Sequence, residues 1–585
     1  MKPGIAACVL AVAILAHLPS AGVTYTFDDH AIVERNPRLE VHDGASLLAL
    51  VRSNYWGEGG ERTGERLFRP VPLLSYAAER ALLGRPDARF ARSVNALLHG
   101  LCSLAALALF TQVTRSARTG FLGALVFAAH PLHAECVAGV VGRAEILALG
   151  FALLALERAG KDSLLAFPCL LLALGSKESA VAAIPIALAR DLLERRWRLS
   201  GFGALLAGFV VYVGIRAWAI GSLVPEPGAR TLGNMALPGR LVVALAVYRD
   251  AWIATLLPLH ASAAHYPFPR TNPAAVLAAL SVQLACLLAV ASLWRSGTRG
   301  RAVALGVLGF ELALLPVSNI IPIGVVFAER LLYAPSAWAA LAVGALLDGA
   351  FARFPSPARI GFPFLVGALA LGSLRNDRIW TDDPTLWRAS LERFPDQPRT
   401  QVAVAEIELH AGRRGRAIAL LEKAVELTPD EQPFKPKALA ELGLALAPVD
   451  RKRSDASLKK ALALAPMSPA IWLLAAQAFD ARNDEQAARE AAGRAVALGP
   501  ENPEAYMTLG LAELNSGHEK DAVATFTRAL DAGADHGAAL FNRGDARWLS
   551  GDREGARADY REAARLLGPD PPPFVKQRFA ERLRD

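Results

Sequence analysis

Several common chemical signatures are absent from this sequence. It has no glycine-rich phosphate loop, no dinucleotide fingerprint and no serine, histidine and aspartate in a hydrolase order. Although its formal charge is +8, it has no nucleic-acid reader motif and no stripe of basic and aromatic residues. These absences give no support to a nucleotide-dependent enzyme, a serine hydrolase or a partner that is nucleic acid.

Cysteine is also scarce, with five residues in a chain of 585. All five lie in apolar stretches without metal-type pairing, so they indicate neither a disulfide framework nor a cysteine metal site. We expect them to be small core residues: Cys8, Cys102, Cys136, Cys169 and Cys286.

Apolar sequence, by contrast, is abundant, with 53% hydrophobic residues and a mean hydropathy of +0.29. The excess is concentrated before about residue 375, whereas the remainder is rich in Ala, Arg and Glu with helical periodicity. We therefore predict a membrane domain over 1–375, a linker over 376–397, helical repeats over 398–568 and a tail over 569–585.

About eleven membrane spans are predicted in the first domain. The first apolar run, Ile5 to Ala16, is either a membrane helix or a signal peptide cleaved after residues 19–21, and we favour a retained helix. The other runs occupy 94–113, 120–138, 145–157, 163–175, 179–190, 202–221, 273–294, 302–316, 333–348 and 359–374. Charged residues interrupt 237–257, so this segment is expected to lie as an amphipathic helix at the interface.

The basic residues between these runs suggest an orientation. With eleven spans, five clusters fall on one side, which should be the cytoplasm: Arg115/Arg118, Arg158/Lys161, Arg190–Arg198, Arg295/Arg299/Arg301 and Arg353/Arg359. The opposite side receives the loops 21–92 and 222–272 and, after an odd number of spans, the repeats. The location is thus predicted as multi-pass in a membrane, with the repeats on the non-cytoplasmic side.

The C-terminal part contains a repeat of 34 residues. Gly510 aligns with Gly544 and Phe526 with Tyr560, a pattern typical of tetratricopeptide repeats. Small residues let two antiparallel helices approach while the aromatic ring fills the seam. We predict about five repeats that bind an extended polypeptide; the alternative is a stack that only stabilises the membrane domain.

Polar clusters next to the apolar runs are candidates for chemistry, because ionisable groups near membrane helix ends are costly. Asp28 and Asp29 follow the first run, and a carboxylate there could act as a general base or hold a cation. His130, His133 and Glu135 have a spacing that suggests metal, but Pro131 interrupts the helix, so we assign no metal ligand. Glu329 and Arg330 are either an internal ion pair or, like Arg69 and Arg143, part of a phosphate site.

Together these motifs resemble the transmembrane and tetratricopeptide-repeat O-mannosyltransferases and their bacterial relatives over essentially the full chain. The resemblance rests on Phe27-Asp28-Asp29 with Asn36-Pro37, Phe68-Arg69-Pro70 with Leu74-Ser75-Tyr76, 95–99 (NALLH), 127–135 (FAAHPLHAE), 318–324 (SNIIPIG) and 328–336 (AERLLYAPS).

The resemblance implies an all-α fold: a polytopic domain of the C-type glycosyltransferase (GT-C) class followed by a tetratricopeptide solenoid. In that family a sugar, typically mannose, passes from a polyprenyl-phosphate carrier to Ser or Thr hydroxyls of exported protein. Asp28 and Asp29 would be the catalytic pair, with Asp29 slightly favoured as the base. The remaining site residues would bind the donor phosphate or complete the site: Arg69, His130, His133, Glu135, Arg143, Glu329 and Arg330.

Two departures weaken the transfer of substrate from the eukaryotic relatives. Ala134 replaces the threonine of the family motif, and the composition suggests a member from the bacterial inner membrane, with another carrier and another sugar. No cofactor is assigned, since two carboxylates could bind a divalent cation but a lipid-monophosphate leaving group does not demand one. Three alternatives stay open: a glycan or lipid acceptor, a non-catalytic scaffold that recruits partners through the repeats, and a transporter. The spans show no internal symmetry, which does not favour the transporter.

Overall fold

The computed structural model describes residues 3–17, 24–57, 66–221, 232, 235–258, 268–430, 432–568 and 571–583. These residues form helices and no strand. The chain divides into two compact units, Met1–Pro395 and Asp396–Asp585. The all-α class expected from the sequence is thereby confirmed. The alternative cleavage point at 19–21 and much of the loop 222–272 lie outside the described residues.

The first unit contains sixteen α-helices among its described residues. They are α1 (Pro3–Ala16), α2 (Gly44–Val51), α3 (Pro70–Leu83), α4 (Ala88–Thr114), α5 (Ala117–Ala128), α6 (Ala134–Val137), α7 (Arg143–Gly160), α8 (Ala166–Ser176), α9 (Ala183–Glu194), α10 (Leu199–Ile220), α11 (Leu237–Leu256), α12 (Pro273–Leu293), α13 (Gly297–Leu314), α14 (Tyr333–Arg353), α15 (Pro355–Asp377) and α16 (Asp383–Arg393). Shorter helical turns cover His30–Glu34, Pro37–Leu39, Pro131–His133, Val140–Gly142, Glu178–Ala182, Leu315–Val317, Glu329–Leu332 and Arg378–Trp380.

Several helices of this unit have the properties of membrane spans. In the described part of the chain, six are long and apolar enough: Ala88–Thr114, Leu199–Ile220, Pro273–Leu293, Gly297–Val317, Glu329–Arg353 and Pro355–Trp380. A seventh arises if Ala117–Ala128 and Pro131–Val137, which meet at a bend of 52°, form one broken span. Pro3–Ala16 and Ala166–Ser176 are apolar but shorter. The count of eleven spans, the interfacial position of 237–257 and the orientation stay predictions.

Local sequence explains where many helices begin. Asp87 caps α4 by accepting the Phe90 N–H at 2.9 Å, and Ser116 caps α5 by accepting the Thr119 N–H at 3.1 Å. Such side chains satisfy backbone donors that the first helical turn leaves unpaired. These caps fix where α4 and α5 begin.

Helices α5 and α14 cross at a pair of glycines. A Cβ on Gly344 would lie 2.6 Å from the backbone nitrogen of Gly123, and a Cβ on Gly123 would lie 2.9 Å from the Ala340 carbonyl oxygen. Neither position accepts a side chain without a shift of backbone. Small residues of this kind let apolar helices pack backbone to backbone where the hydrophobic effect between helices is weak.

The second unit is a succession of helix pairs. Its described residues form α17 (Pro398–His410), α18 (Arg414–Leu427), α19 (Lys435–Leu446), α20 (Arg451–Leu464), α21 (Pro469–Asp480), α22 (Glu485–Leu498), α23 (Pro503–Asn515), α24 (Glu519–Asp531), α25 (His536–Leu549), α26 (Arg553–Leu567) and α27 (Pro573–Arg582). In the pair α23 and α24 the buried Phe526 ring packs on Gly510, where a Cβ would come within 2.7 Å of the ring. In α25 and α26 Tyr560 packs on Gly544 in the same way.

Candidate active site

Two adjacent aspartates lie in the loop after the first helix and have different surroundings. Asp29 is 1% exposed, and its Oδ1 accepts the Val141 backbone N–H at 2.9 Å. Its Oδ2 accepts the Thr26 N–H at 3.3 Å. Burial raises the pKa of Asp29, and the charge of Arg92 opposes that rise only in part. Asp29 thus fastens the loop to the segment around residue 141, whereas Asp28 stays partly exposed.

Asp28 lies close enough to Arg330 and Tyr55 to interact with both electrostatically. Arg330 is held from the other side by Glu135, whose Oε1 lies 2.5 Å from Nη1 and whose Oε2 accepts the Arg330 backbone N–H at 2.8 Å. Glu135 is 3% exposed. These two contacts engage the backbone N–H and the Nη1 group of Arg330, so Glu135 fixes the position of the guanidinium from one side.

A second arginine, Arg69, lies against Tyr55, which also interacts electrostatically with Asp28. Its Nε donates to Glu178 Oε2 at 3.0 Å, and its guanidinium carbon lies 5.1 Å from the centre of the Tyr55 ring. Arg216 Nη1 lies 3.4 Å from the other oxygen of Glu178. Burial alone would raise the pKa of Glu178, but the charges of Arg69 and Arg216 together with the hydrogen bonds to its carboxylate hold the pKa below the usual value.

A lysine completes this group of charges. Lys177 is 8% exposed and its Nζ pairs with the carboxylate of Glu145. Burial lowers the pKa of Lys177, while the charge of Glu145 opposes that shift. Lys177 also interacts electrostatically with Arg69 and Arg330, so the cations share one region.

We call these residues the charge cluster: Asp28, Arg69, Glu135, Glu145, Lys177, Glu178 and Arg330. Each of its three cations is paired with one glutamate and keeps further N–H donors. A partly exposed carboxylate beside such cations suits the deprotonation of a hydroxyl next to a leaving anion.

Of the residues proposed from the sequence, Asp28, Arg69, Glu135 and Arg330 come together in this cluster. The sequence-based candidates did not include Lys177, Glu178 and Glu145. They also did not include Tyr55 and Arg216. Arg216 had a usable signal, since it is an arginine inside an otherwise apolar run. Tyr55 had none, because an aromatic residue in a loop is unremarkable.

Arg143 has a different environment from the arginines of the charge cluster. Its side chain is fully buried, and its guanidinium donates to Asn95 Oδ1 at 2.8 Å, Ser75 Oγ at 3.1 Å and the Ala91 carbonyl at 2.9 Å. Nη1 also lies 2.5 Å from Glu79 Oε1. Arg143 therefore joins α3, α4 and α7 from within.

The two histidines of the 127–135 motif are likewise enclosed. His130 Nε2 donates to the Thr255 carbonyl at 2.9 Å, and His133 Nε2 lies 2.9 Å from Ser336 Oγ. Glu329 is buried at 4% exposure. Among the described residues, the group able to hold a metal ion joins His133 to His17 and His99, and it does not include His130 or Glu135.

Comparison with known proteins gives partial matches. A family model described as tetratricopeptide repeat matches residues 507–571. Human protein O-mannosyl-transferase TMTC1 is 34% identical over 155 residues, which is 26% of this chain and 17% of that protein. The mouse protein TMTC4 is 32% identical over 157 residues, covering 24% and 21%. Protein O-mannosyl-transferase F38B6.6 of Caenorhabditis elegans is 21% identical over 425 residues, covering 68% and 59%.

Solved structures of tetratricopeptide-repeat proteins match part of the chain. TTC0263, a tetratricopeptide-repeat protein from Thermus thermophilus, has 18% identity and a TM-score of 0.27, covering 32% of this chain and 99% of that one. YrrB, described as a tetratricopeptide-repeat protein with an unusual peptide-binding site, has 18% identity and a TM-score of 0.25, covering 33% and 97%.

The matched segments amount to about a fifth of the TMTC1 and TMTC4 chains and 59% of the nematode protein. Within those limits the resemblance predicted from the motifs is confirmed: the chain is similar to TMTC-type protein O-mannosyl-transferases and carries a tetratricopeptide-repeat match of its own.

Proposed function

We propose that this protein is a membrane glycosyltransferase that moves a sugar from a polyprenyl-phosphate donor to Ser or Thr hydroxyls of exported protein. The observation that carries the proposal is the charge cluster, in which the partly exposed Asp28 lies beside Arg330, with Arg69 and Lys177 in the same region. The names of the similar proteins support the transfer of mannose to protein.

In this proposal Asp28 is the general base. Its carboxylate takes the proton of the acceptor hydroxyl while the hydroxyl oxygen bonds to the anomeric carbon of the sugar. The bond between that carbon and the donor phosphate oxygen breaks, and the lipid monophosphate leaves with the electron pair. Asp29, which is buried and accepts the Val141 N–H, positions the loop and does not reach the acceptor.

The cations of the cluster would stabilise the leaving phosphate. Arg330 and Arg69 each keep nitrogen groups beyond those engaged by Glu135 and Glu178, and Arg nitrogens in a planar fork match phosphate oxygens. The glutamates fix the direction of the guanidinium groups before the donor arrives, so little reorganisation remains for the reaction. His130, His133, Arg143 and Glu329 would support the surrounding helices.

We further propose that the repeat unit binds the polypeptide acceptor. Five successive helix pairs expose a continuous surface of the kind that grips extended peptides in tetratricopeptide proteins. Transfer to exported protein requires the repeats and the loop with Asp28 on the non-cytoplasmic side, and we propose a bacterial inner membrane as the site. The domain limits 1–375, 376–397, 398–568 and 569–585 belong to the same proposal.

The test is transfer of radiolabelled sugar from a polyprenyl-phosphate donor to envelope protein in membranes that contain the full chain. Asp28→Asn should lower the initial rate by about 10²- to 10⁴-fold, the usual contribution of a general base, at an unchanged protein level. Glu40→Gln is the matched control, since Glu40 is an exposed carboxylate of the same loop paired with Arg80 at 3.1 Å, and it should keep the wild-type rate.

Equal labelling by Asp28→Asn and wild type would reject Asp28 as the base. Absence of labelling in wild type across several donor sugars would favour the alternative of a non-catalytic scaffold that recruits partner proteins through its repeats.

A further inference from the structure

Three buried histidines from distant segments meet inside the first unit. His17 follows α1, His99 lies in α4 and His133 ends the turn Pro131–His133; they are 2%, 0% and 0% exposed. One ring nitrogen of each lies within 4.8 Å of the others. Hydrogen-bond partners decide which nitrogens carry protons and which offer lone pairs.

His17 presents a free lone pair. Its Nδ1 lies 3.2 and 3.1 Å from the two carboxylate oxygens of Asp377. An ionised carboxylate only accepts, so Nδ1 carries the proton. Its Nε2 is buried without a hydrogen-bond partner among the described residues.

His133 carries its proton on the other ring nitrogen, Nε2. The hydroxyl of Ser336 donates to the Tyr333 carbonyl at 2.8 Å, so its oxygen accepts from His133 Nε2 at 2.9 Å. Nε2 therefore carries the proton, and Nδ1 is a second buried lone pair without a partner in the described part of the chain.

His99 adds a third nitrogen whose lone pair is engaged more weakly. Its Nε2 donates to the Ala128 carbonyl at 3.1 Å, because a carbonyl oxygen only accepts. Nδ1 then accepts from the Tyr333 hydroxyl at 2.7 Å. A cation that takes this lone pair displaces one hydrogen bond, which Tyr333 can redirect.

We propose that His17, His99 and His133 bind a divalent transition-metal ion of the zinc class. Neutral imidazole nitrogens are preferred zinc ligands, and the Asp377–His17 and Ser336–His133 hydrogen bonds are the outer partners that orient metal-binding histidines. Zinc–nitrogen bonds of about 2.1 Å in a tetrahedron put ligand nitrogens about 3.4 Å apart. One ring nitrogen of each histidine already lies within 4.8 Å of the others, so three such nitrogens need to approach one another by at most about 1.4 Å.

The metal would join three segments that are distant in the sequence. His17 precedes the loop that contains Asp28 and Asp29, and Asp377, its outer partner, ends α15. This site is distinct from the charge cluster and does not depend on the proposed transferase activity, because metal binding is measured without donor or acceptor.

The experiment uses the full chain purified in detergent with an affinity tag that contains no histidine. Metal is stripped with a chelator, cobalt is added, and visible absorption is recorded; zinc is measured by elemental analysis after gel filtration. We expect one metal per chain and the absorption bands of tetrahedral cobalt. His17→Gln and His133→Gln should lose both, and Ser336→Ala should weaken binding about 10- to 100-fold.

His130→Gln is the matched control, since His130 is a buried histidine of the same motif with both ring nitrogens hydrogen-bonded, and it should retain the metal. His133→Cys should keep the ion and add a thiolate-to-cobalt band, which a variant that merely unfolds does not show. Wild type without bound metal, or a cobalt spectrum that survives His17→Gln and His133→Gln, would overturn the proposal and leave a water as the partner of the two lone pairs.

Discussion

Arg143 gives the sharpest contrast between a binding role and a structural one. Its motif placed it among candidate phosphate ligands, yet its side chain is fully buried and contacts Glu79, Asn95, Ser75 and the Ala91 carbonyl. We therefore predict that Arg143→Met acts on stability. Donor binding should change only as far as folded protein is lost.

The expected magnitude follows from what the substitution leaves behind. Removal of one partner of a buried ion pair costs about 3–5 kcal/mol, because the remaining charge has no compensation. In Arg143→Met that remaining charge is Glu79, whose side chain is 15% exposed. A second change, Glu79→Gln, removes it, so the double variant should recover about 1–3 kcal/mol.

The assay is the temperature at which half of the detergent-purified full chain remains monodisperse. Arg143→Met should lower it strongly, and the double variant should lie between Arg143→Met and wild type. Arg85→Met is the control, because the Arg85 side chain is 78% exposed and its ion pair with Asp87 is long, at 3.8 Å. An Arg143→Met protein that melts with wild type and only raises the apparent KM for the donor would refute this reasoning.

Two further predictions concern the repeat unit. Burial and a neighbouring glutamate raise the pKa of Glu441 from 4.5 to about 7. When Glu441 ionises, the folded repeat therefore loses about 3 kcal/mol of stability. We predict that Glu441→Gln slows hydrogen exchange in α19 at pH 8 but not at pH 4. Gly510→Ala should destabilise α23 and α24 by about 1–3 kcal/mol, since the new methyl meets the Phe526 ring at 2.7 Å.

Each has a matched control. Protonated Glu441 gives the wild-type fold its full stability below pH 4.5, and this contribution is lost as pH rises through about 7. A gain in stability from Glu441→Gln that is equal at pH 4 and pH 8 would therefore contradict the prediction. Glu426→Gln, at an exposed position of α18, should change nothing. Gly493→Ala in α22 has open space around its Cβ and should stabilise its helix by about 0.5–1 kcal/mol; equal losses in Gly493→Ala and Gly510→Ala would exclude the packing explanation.

The repeat unit could be predicted because its information is local. A small residue and an aromatic one recur at a fixed period, and in the structure Phe526 and Tyr560 pack on Gly510 and Gly544 as that period implies. The apolar helices of the first unit are equally local, since length and composition define them. The number of spans is harder to predict, because a bent helix pair, such as the one with an angle of 52°, counts as one span or as none depending on how the bend is treated.

The charge cluster could be predicted only in part. Each member follows or precedes an apolar run, which marks it as costly, but its partner lies far away in sequence. Arg69 pairs with Glu178 across 109 positions and Glu135 with Arg330 across 195. Sequence also could not separate Arg143 from Arg330, because only tertiary packing makes one side chain fully buried and leaves the other 23% exposed. The three histidines share no motif at all.

The glycine crossing of α5 and α14 has a consequence for the reacting groups. Glu135 lies a few residues after α5, and Arg330 lies just before α14. Because Gly123 and Gly344 bring the two backbones into direct contact, the packing of α5 on α14 contributes to the placement of both ion-pair partners. A bulkier residue at either glycine would therefore act at a distance, misaligning a guanidinium many residues away without touching it.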